Sequence, residues 1–141
     1  MEITKEALQS YRSKKDEIVE LDWWLNNRWR SETMIGNDVI FDYSKGYPMP
    51  QSVVGFDQPR YERAQERDLR KKQELEQECA EMEDFIEDIS DSITRRIFRM
   101  SFIDGRKQKD VAKAVHLDRS SVSKKIDGYL QLSHNSHDSQ V

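Results

Sequence analysis

A short run of basic and hydroxyl side chains near the carboxyl end of the sequence has the chemistry needed to contact nucleic acid. The run directly follows Asp118 and contains Arg119, Ser120, Ser121, Ser123 and Lys124. An arginine guanidinium can donate two hydrogen bonds to the edge of a guanine, and a serine hydroxyl can bond to a base or to a phosphate. We predict that Arg119 and Lys124 contact the groove of a DNA duplex and that the three serines assist them.

Four lysines around this run are suited to the phosphate backbone, because an ammonium group acts on phosphate as a point charge and positions a protein without reading sequence. These predicted phosphate contacts are Lys107, Lys109, Lys113 and Lys125. Residues 106–125 contain seven basic and two acidic side chains, a balance of +5, whereas the whole chain carries −4. The sequence therefore predicts a basic, DNA-binding segment inside an acidic protein.

Three short helices are predicted to position these side chains. The first begins at Ser92 and ends at Asp104-Gly105, because glycine suits the left-handed position that closes a helix. The second spans 108–115, and the third runs from Arg119 to about Leu132 after a tight turn and an Asp118 cap. Apolar positions in the last two fit a helix-turn-helix. Such a pair of helices also occurs as a purely structural packing unit, and this alternative stays open.

Two stretches of this segment resemble the region-4 module of sigma-70-type factors. They read FIDGRKQKDVA at 102–112 and LDRSSVS at 117–123. With a long helix and a Pro/Gly-containing break upstream, the layout resembles the RinA/ArpU-like regulators of phages of Gram-positive bacteria. The resemblance implies a phage or prophage transcription regulator that activates late genes. His116 stands where glycine is usual in the turn, and Lys125 takes a position that is often apolar.

A long helix is predicted to precede this head. Asp57-Gln58-Pro59 has the character of a helix start, and no breaker interrupts the chain from Arg60 to about Asp91. Apolar residues in its second half are spaced 4, 3, 4, 3 and 4 apart, which is typical of a coiled-coil seam. The seam consists of Leu75, Cys79, Met82, Ile86, Ile89 and Ile93. We predict self-association through it, with a homodimer as the first expectation.

The amino-terminal part is predicted to pack antiparallel to the long helix. About 30 residues lack breakers and place Ile18, Leu21, Leu25 and Trp29 on one stripe. Residues 31–59 hold all three prolines together with several aromatic residues. Residues 39–56, with Trp23 or Trp24, are predicted either to pack on the core or to contact a partner such as the host RNA polymerase.

The predicted fold is all-α, in three regions. Residues 1–91, with the loop 31–59, form a helical and coiled-coil oligomerisation region, residues 92–132 form the helix-turn-helix DNA-binding domain, and residues 133–141 form a disordered tail. The charged fraction is 35%, against about 25% in ordinary globular chains, so long solvated helices are favoured over one large core.

Enzymatic and membrane functions are not expected. The sequence has no phosphate loop, nucleophile elbow or nicotinamide fingerprint, and no apolar run long enough for a membrane span. Cys79 is the only cysteine, which excludes an internal disulfide. His134 and His137 are three residues apart, but no further ligand accompanies them, so no metal or cofactor is predicted. We expect a soluble protein of the bacterial host cytoplasm.

Two other functions remain open from the sequence. Small terminase subunits of phages also join a helix-turn-helix to an oligomerisation segment, and a ring of about eight or more subunits would favour that packaging role. A polymerase-binding adaptor is the second alternative, because nine acidic residues lie between Glu74 and Asp91 with no basic residue among them. Such a stretch can mimic nucleic acid.

Overall fold

The computed structural model describes residues 2–32, 41–42, 46–47, 49–50 and 57–138. Apart from turns and short connections, the secondary structure of these residues is helical, with one short antiparallel pairing of β1 (Phe41–Asp42) with β2 (Met49–Pro50). The helices are α1 (Lys5–Gln9), α2 (Tyr11–Glu32), α3 (Gln58–Glu87), α4 (Ser92–Phe98), a π-helical turn (Arg99–Ile103), α5 (Gln108–Val115) and α6 (Arg119–Asp138). The predicted all-α class is confirmed. Among the described helices, none combines the length and the apolar character that crossing a bilayer requires.

Helix α3 begins where the sequence indicated but ends earlier. The Asp57 carboxylate accepts a hydrogen bond from the backbone N–H of Arg60 at 3.1 Å, which caps the helix. The helix ends at Glu87 instead of near Asp91. Asp91 has extended backbone and accepts from the N–H of Thr94, so it caps α4 instead of continuing α3.

The chain forms two compact units, and their boundary differs from the predicted one at residue 91. One, called here the terminal unit, comprises residues 1–14 and 78–141, and the other, the hairpin unit, comprises residues 15–77. The amino-terminal residues join the carboxyl-terminal helices because long-range contacts tie them there. Lys5 pairs with Asp127 at 3.2 Å, and a ring nitrogen of His134 lies 3.1 Å from the carbonyl oxygen of Ile3.

The hairpin unit contains antiparallel segments of α2 and α3, as predicted. Asp22 on α2 pairs with Lys72, and Arg28, farther along α2, bonds to Asp68, earlier on α3. Leu25, Tyr47 and Tyr61 form a small buried core, with Trp29 and Leu69 packed against it. Tyr47 belongs to the predicted partner segment 39–56, most of which lies outside the described residues.

The predicted oligomerisation seam is wrong as a surface for a second copy. Five of its members are at most 3% exposed in the single chain: Leu75, Cys79, Met82, Ile86 and Ile89. Ile93, the sixth, is 40% exposed. Alternating spacings of three and four place side chains on one helix face but do not specify what covers that face. Here the chain's own side chains bury it.

The terminal unit is built around apolar residues of α4, the π-helical turn, α5 and α6. Phe98 lies at the centre, with its ring 5.5 Å from those of Phe102 and Tyr129. Helix α6 continues to Asp138, so the prediction of a disordered tail from residue 133 is wrong for residues 133–138. Residues 139–141 lie outside the described part.

Candidate nucleic-acid interface

A left-handed residue closes α5 and sets up the turn into α6. His116 has φ 60° and ψ 39°, and its N–H bonds to the carbonyl of Lys113. The next N–H, that of Leu117, bonds to the carbonyl of Ala112 at 2.9 Å. These two bonds form a Schellman motif, which satisfies carbonyls at the end of α5. The turn thus has the geometry that glycine would usually provide, although histidine occupies it.

Asp118 fixes the start of α6. Its carboxylate accepts a hydrogen bond from the backbone N–H of Ser121 at 2.7 Å and from the hydroxyl of Ser120 at 3.3 Å. The backbone N–H of Ser121, followed by its hydroxyl, holds the pKa of Asp118 below its ordinary value. An ionised carboxylate at this position also suits the positive end of the helix dipole. The Ser120 hydroxyl and the Ser121 backbone N–H are therefore already engaged within the chain.

The predicted contact residues differ in exposure. Six of them are exposed: Lys107, Lys109, Lys113, Arg119, Ser120 and Lys124. Ser121, Ser123 and Lys125 are half-buried. Ser123 lines a cavity of about 240 Å³ together with Lys5 and Gln9 of α1, so it lies on the side of α6 that faces α1. The positive charge of Lys125 acts on Asp91, ahead of α4.

The basic residues of the terminal unit separate into two groups. The first group has partners within the chain: Lys14 pairs with Glu78 at 2.6 Å, Arg99 with Glu87, and Lys5 with Asp127. The second group makes no side-chain hydrogen bond or ion pair to any described residue, and it consists of Lys107, Lys109, Lys113, Arg119, Lys124 and Lys125. All six belong to the set that the sequence predicted for DNA contact. Folding thus leaves the five exposed cations of this group available to an external anion, whereas Lys125 is half-buried.

The contribution of α1 could not be recognised from the sequence. Thr4 caps α1 by accepting from the N–H of Ala7 at 3.0 Å, which places Lys5 at the start of the helix. Lys5 there pairs with Asp127, an exposed acid on α6 three residues after Lys124. A lone carboxylate beside these cations would repel phosphate, and Lys5 offsets it. The sequence around Thr4 could have predicted the cap of α1, because a cap involves only neighbouring residues. The pairing of Lys5 with Asp127 could not be predicted in this way.

No site for a metal ion is formed by the described residues, since no three of their His, Cys, Asp or Glu side chains are grouped to hold one. Comparisons with protein-family models, curated proteins and solved structures found nothing that matches this chain. Its own residues must therefore indicate what it does.

Proposed function

We propose that this chain is a sequence-specific DNA-binding protein that regulates transcription, with α5, the turn at residues 116–118 and α6 acting as a helix-turn-helix. The observation that supports the proposal best is the group of six cations without a partner among the described residues. Seven basic and two acidic residues between 106 and 125 give this part of the acidic chain the charge needed to approach a phosphate backbone.

The two helices divide the contacts. The first turns of α6 enter the major groove, with Arg119 reaching a base edge and Ser120 and Lys124 beside it. Lys109 and Lys113 on α5 contact phosphates, together with Lys107 just before it. Base contacts supply specificity, and phosphate contacts supply most of the salt-dependent affinity.

A role in transcription follows from the resemblance of 102–112 and 117–123 to the sigma-70 region-4 module. The layout of the RinA/ArpU-like regulators supports a phage or prophage origin and the activation of late genes in the cytoplasm of a bacterial host. The host RNA polymerase is then a second partner.

Selection of bound sequences from a random duplex library, followed by fluorescence anisotropy over a salt series, tests the proposal. Arg119→Ala should relax the sequence preference, since it removes a base contact. Lys113→Ala should weaken all sequences alike and reduce the salt slope by about one, since it removes one phosphate contact. Lys71→Ala, an exposed lysine of the hairpin unit, is the control for loss of one charge.

The proposal would be overturned if no sequence were enriched, or if both interface variants bound like wild type. If the chain bound polymerase but no duplex, the adaptor function would replace it. A ring of about eight subunits on DNA would favour a packaging role.

A further inference from the structure

A groove of about 950 Å³ lies between α2 and α3 within the hairpin unit. The α2 side of the groove carries Glu17, Glu20 and Trp24. The α3 side carries four exposed arginines, which we call the arginine row: Arg60, Arg63, Arg67 and Arg70.

The arginine row follows one face of α3. Its members are spaced 3, 4 and 3 residues apart, so they share a helix face about 15 Å long. Arg67 bonds to Asp68 at 3.1 Å. The other three side chains form no ion pair with a described residue. The row therefore keeps positive charge that the described part of the hairpin unit does not neutralise.

The two acids on the α2 side lie far from the first members of the row. The pair Asp22–Lys72 sets the register of the antiparallel helices. At about 1.5 Å per residue, this register places Glu17 and Glu20 about 15–25 Å along the helices from the first two arginines. Among the described residues that line the groove, Glu66 is the only exposed acid near the first three arginines. We call these three arginines the basic end of the groove.

Trp24 presents an aromatic surface to the same groove. Its ring is 42% exposed and lies 5.8 Å from the guanidinium of Arg28. Arg28 donates to the amide oxygen of Gln65 at 2.5 Å and to the Asp68 carboxylate. Gln65 in turn donates to the carbonyl of Leu25 at 2.9 Å, which links α3 to α2. The ring is thus supported by a buried polar network next to the basic end.

We propose that this groove binds single-stranded nucleic acid, with phosphates at the basic end and an unpaired base stacked on Trp24. An arginine guanidinium binds a phosphate through two parallel hydrogen bonds, and a flat aromatic ring offers a surface on which any base can stack. Single-stranded DNA and RNA share this chemistry. Every residue involved belongs to the hairpin unit, so the inference does not depend on the proposed DNA contact of the terminal unit.

Two other anionic occupants fit the groove less well. The bases of a double helix are stacked on one another, so they cannot stack on Trp24. An acidic protein segment would satisfy the arginines, but its carboxylates leave the aromatic surface unused. A single strand uses both the positive charge and the ring.

Fluorescence anisotropy of the full-length chain with labelled oligodeoxythymidine and oligouridine tests the proposal. Strands of about 15 nucleotides are long enough to cover one such site. Arg60→Gln/Arg63→Gln should raise the dissociation constant by about tenfold or more and lower the salt slope by about 1.4, because two phosphate contacts are lost.

A single-charge comparison separates the groove from the general charge of the chain. Arg63→Gln should account for about half of the slope change. Lys15→Gln removes the same charge from an exposed position of the hairpin unit that does not line the groove, and it should leave the slope unchanged.

Trp24→Leu tests the stacking contact. It should raise the dissociation constant for the single strands by about tenfold and leave the affinity for a double helix of the same length unchanged. Trp23→Leu is the matched control, because Trp23 is 54% exposed but does not line the groove. A bound strand should quench the tryptophan fluorescence of wild type and Trp23→Leu, and that of Trp24→Leu much less. Circular dichroism confirms that each variant retains its helices.

The proposal is overturned if wild type binds neither strand at about 0.05 M salt, where screening is weak. It is also overturned if Arg60→Gln/Arg63→Gln binds like wild type, or if Trp24→Leu weakens no single strand. If that double variant loses duplex affinity while Trp24→Leu has no effect, the row contacts a double helix instead. If polyglutamate competes as well as the unlabelled strand, the occupant is an acidic protein segment.

Binding of either strand with both variant effects supports the proposal, and the tighter strand identifies the sugar. Failure of the helix-turn-helix proposal alone would leave single-strand binding unaffected. Arg119→Ala is therefore the control that separates the two proposals, since it should change duplex sequence preference without changing the affinity for either single strand.

Discussion

Arg12 lies against the backbone of Gly105. Its Nη1 atom donates to the carbonyl oxygens of Ile103 at 3.2 Å and of Asp104 at 2.6 Å. A Cβ atom on Gly105 would lie 2.5 Å from Cδ of Arg12, and Gly105 has φ +67°, in the left-handed region. Glycine is thus needed here both for its backbone conformation and for the space that Arg12 occupies. The contact anchors the start of α2 to the turn before α5.

Gly105→Ala should lower the free energy of unfolding by about 2 kcal/mol, because alanine disfavours the left-handed region and displaces Arg12 from the two carbonyls. Gly128→Ala is the matched control. Gly128 lies within α6, and an added Cβ would meet no atom within 4 Å beyond the neighbouring residues and backbone of its own helix, so alanine there should stabilise the chain by up to about 1 kcal/mol. Urea denaturation measures both variants.

The loss of unfolding free energy caused by Gly105→Ala should be smaller when Arg12 is also replaced by alanine. Only the unfavourable left-handed backbone conformation of alanine then remains. A Gly105→Ala variant as stable as wild type, or a penalty unchanged by Arg12→Ala, would show that the contact contributes nothing.

Local sequence signals predicted the helices of the terminal unit, but they did not predict which distant parts of the chain pack against those helices. The spacing of Val111, Ala112 and Val115 and the Asp118 cap predicted α5 and the start of α6, because such signals operate within a few residues. Lys5 and Asp127 are 122 positions apart, and no local pattern indicates that they meet. The burial of Cys79 and Ile86 within one chain was missed for the same reason.

At the candidate interface too, the properties of single residues were predicted and the long-range packing was not. Lys109, Lys113 and Lys124 were predicted from residue type and are exposed without ion-pair partners among the described residues. Ser123 was predicted from its position near the start of α6, but it faces α1. Which side of α6 another helix covers depends on long-range packing, and sequence spacing alone does not carry that information.

His116→Gly should stabilise the chain. The left-handed conformation at φ 60° costs an ordinary residue about 1–2 kcal/mol, and glycine avoids that cost while losing more backbone entropy on folding. We expect His116→Gly to exceed His116→Ala in stability by about 1 kcal/mol in thermal and urea denaturation. Equal stabilities would indicate that the backbone relaxes away from this conformation in both variants. Because the change leaves the six cations in place, duplex affinity should not fall.

Replacing Arg28 alone should lower the free energy of unfolding much more than replacing Arg28 and Asp68 together. The two side chains are only 5% and 10% exposed, so Arg28→Leu leaves a buried carboxylate with Arg67 as its remaining ion-pair partner. We expect a loss of about 3–5 kcal/mol in the free energy of unfolding. The double variant Arg28→Leu/Asp68→Leu removes both charges and should recover most of that loss.

A double-mutant cycle in urea measures the coupling between Arg28 and Asp68. Additive losses, with the double variant least stable of all, would contradict the expectation. They would indicate that each side chain stabilises the hairpin unit through separate contacts.

Stability should depend on pH through the two capping carboxylates, Asp91 and Asp118. The hydroxyl of Thr94 and then its backbone N–H hold the pKa of Asp91 below its ordinary 3.8, and the backbone N–H of Ser121 acts first on that of Asp118. Because folding lowers both pKa values, the ionised caps stabilise the chain fully above about pH 5, and this contribution is lost as pH falls through the lowered values.

Asp91→Asn/Asp118→Asn keeps side chains that cap helices well but do not titrate. The midpoint of thermal unfolding, followed by circular dichroism between about pH 2 and 6, should fall more steeply for wild type than for this variant. The difference between the two should shrink at the acid end, where the wild-type carboxyls are neutral as well. If the two curves stayed parallel over the whole range, other carboxylates would account for the acid sensitivity. The single variants Asp118→Asn and Asp91→Asn measure separately how much the cap of α6, at the candidate interface, and the cap of α4 contribute to this pH dependence.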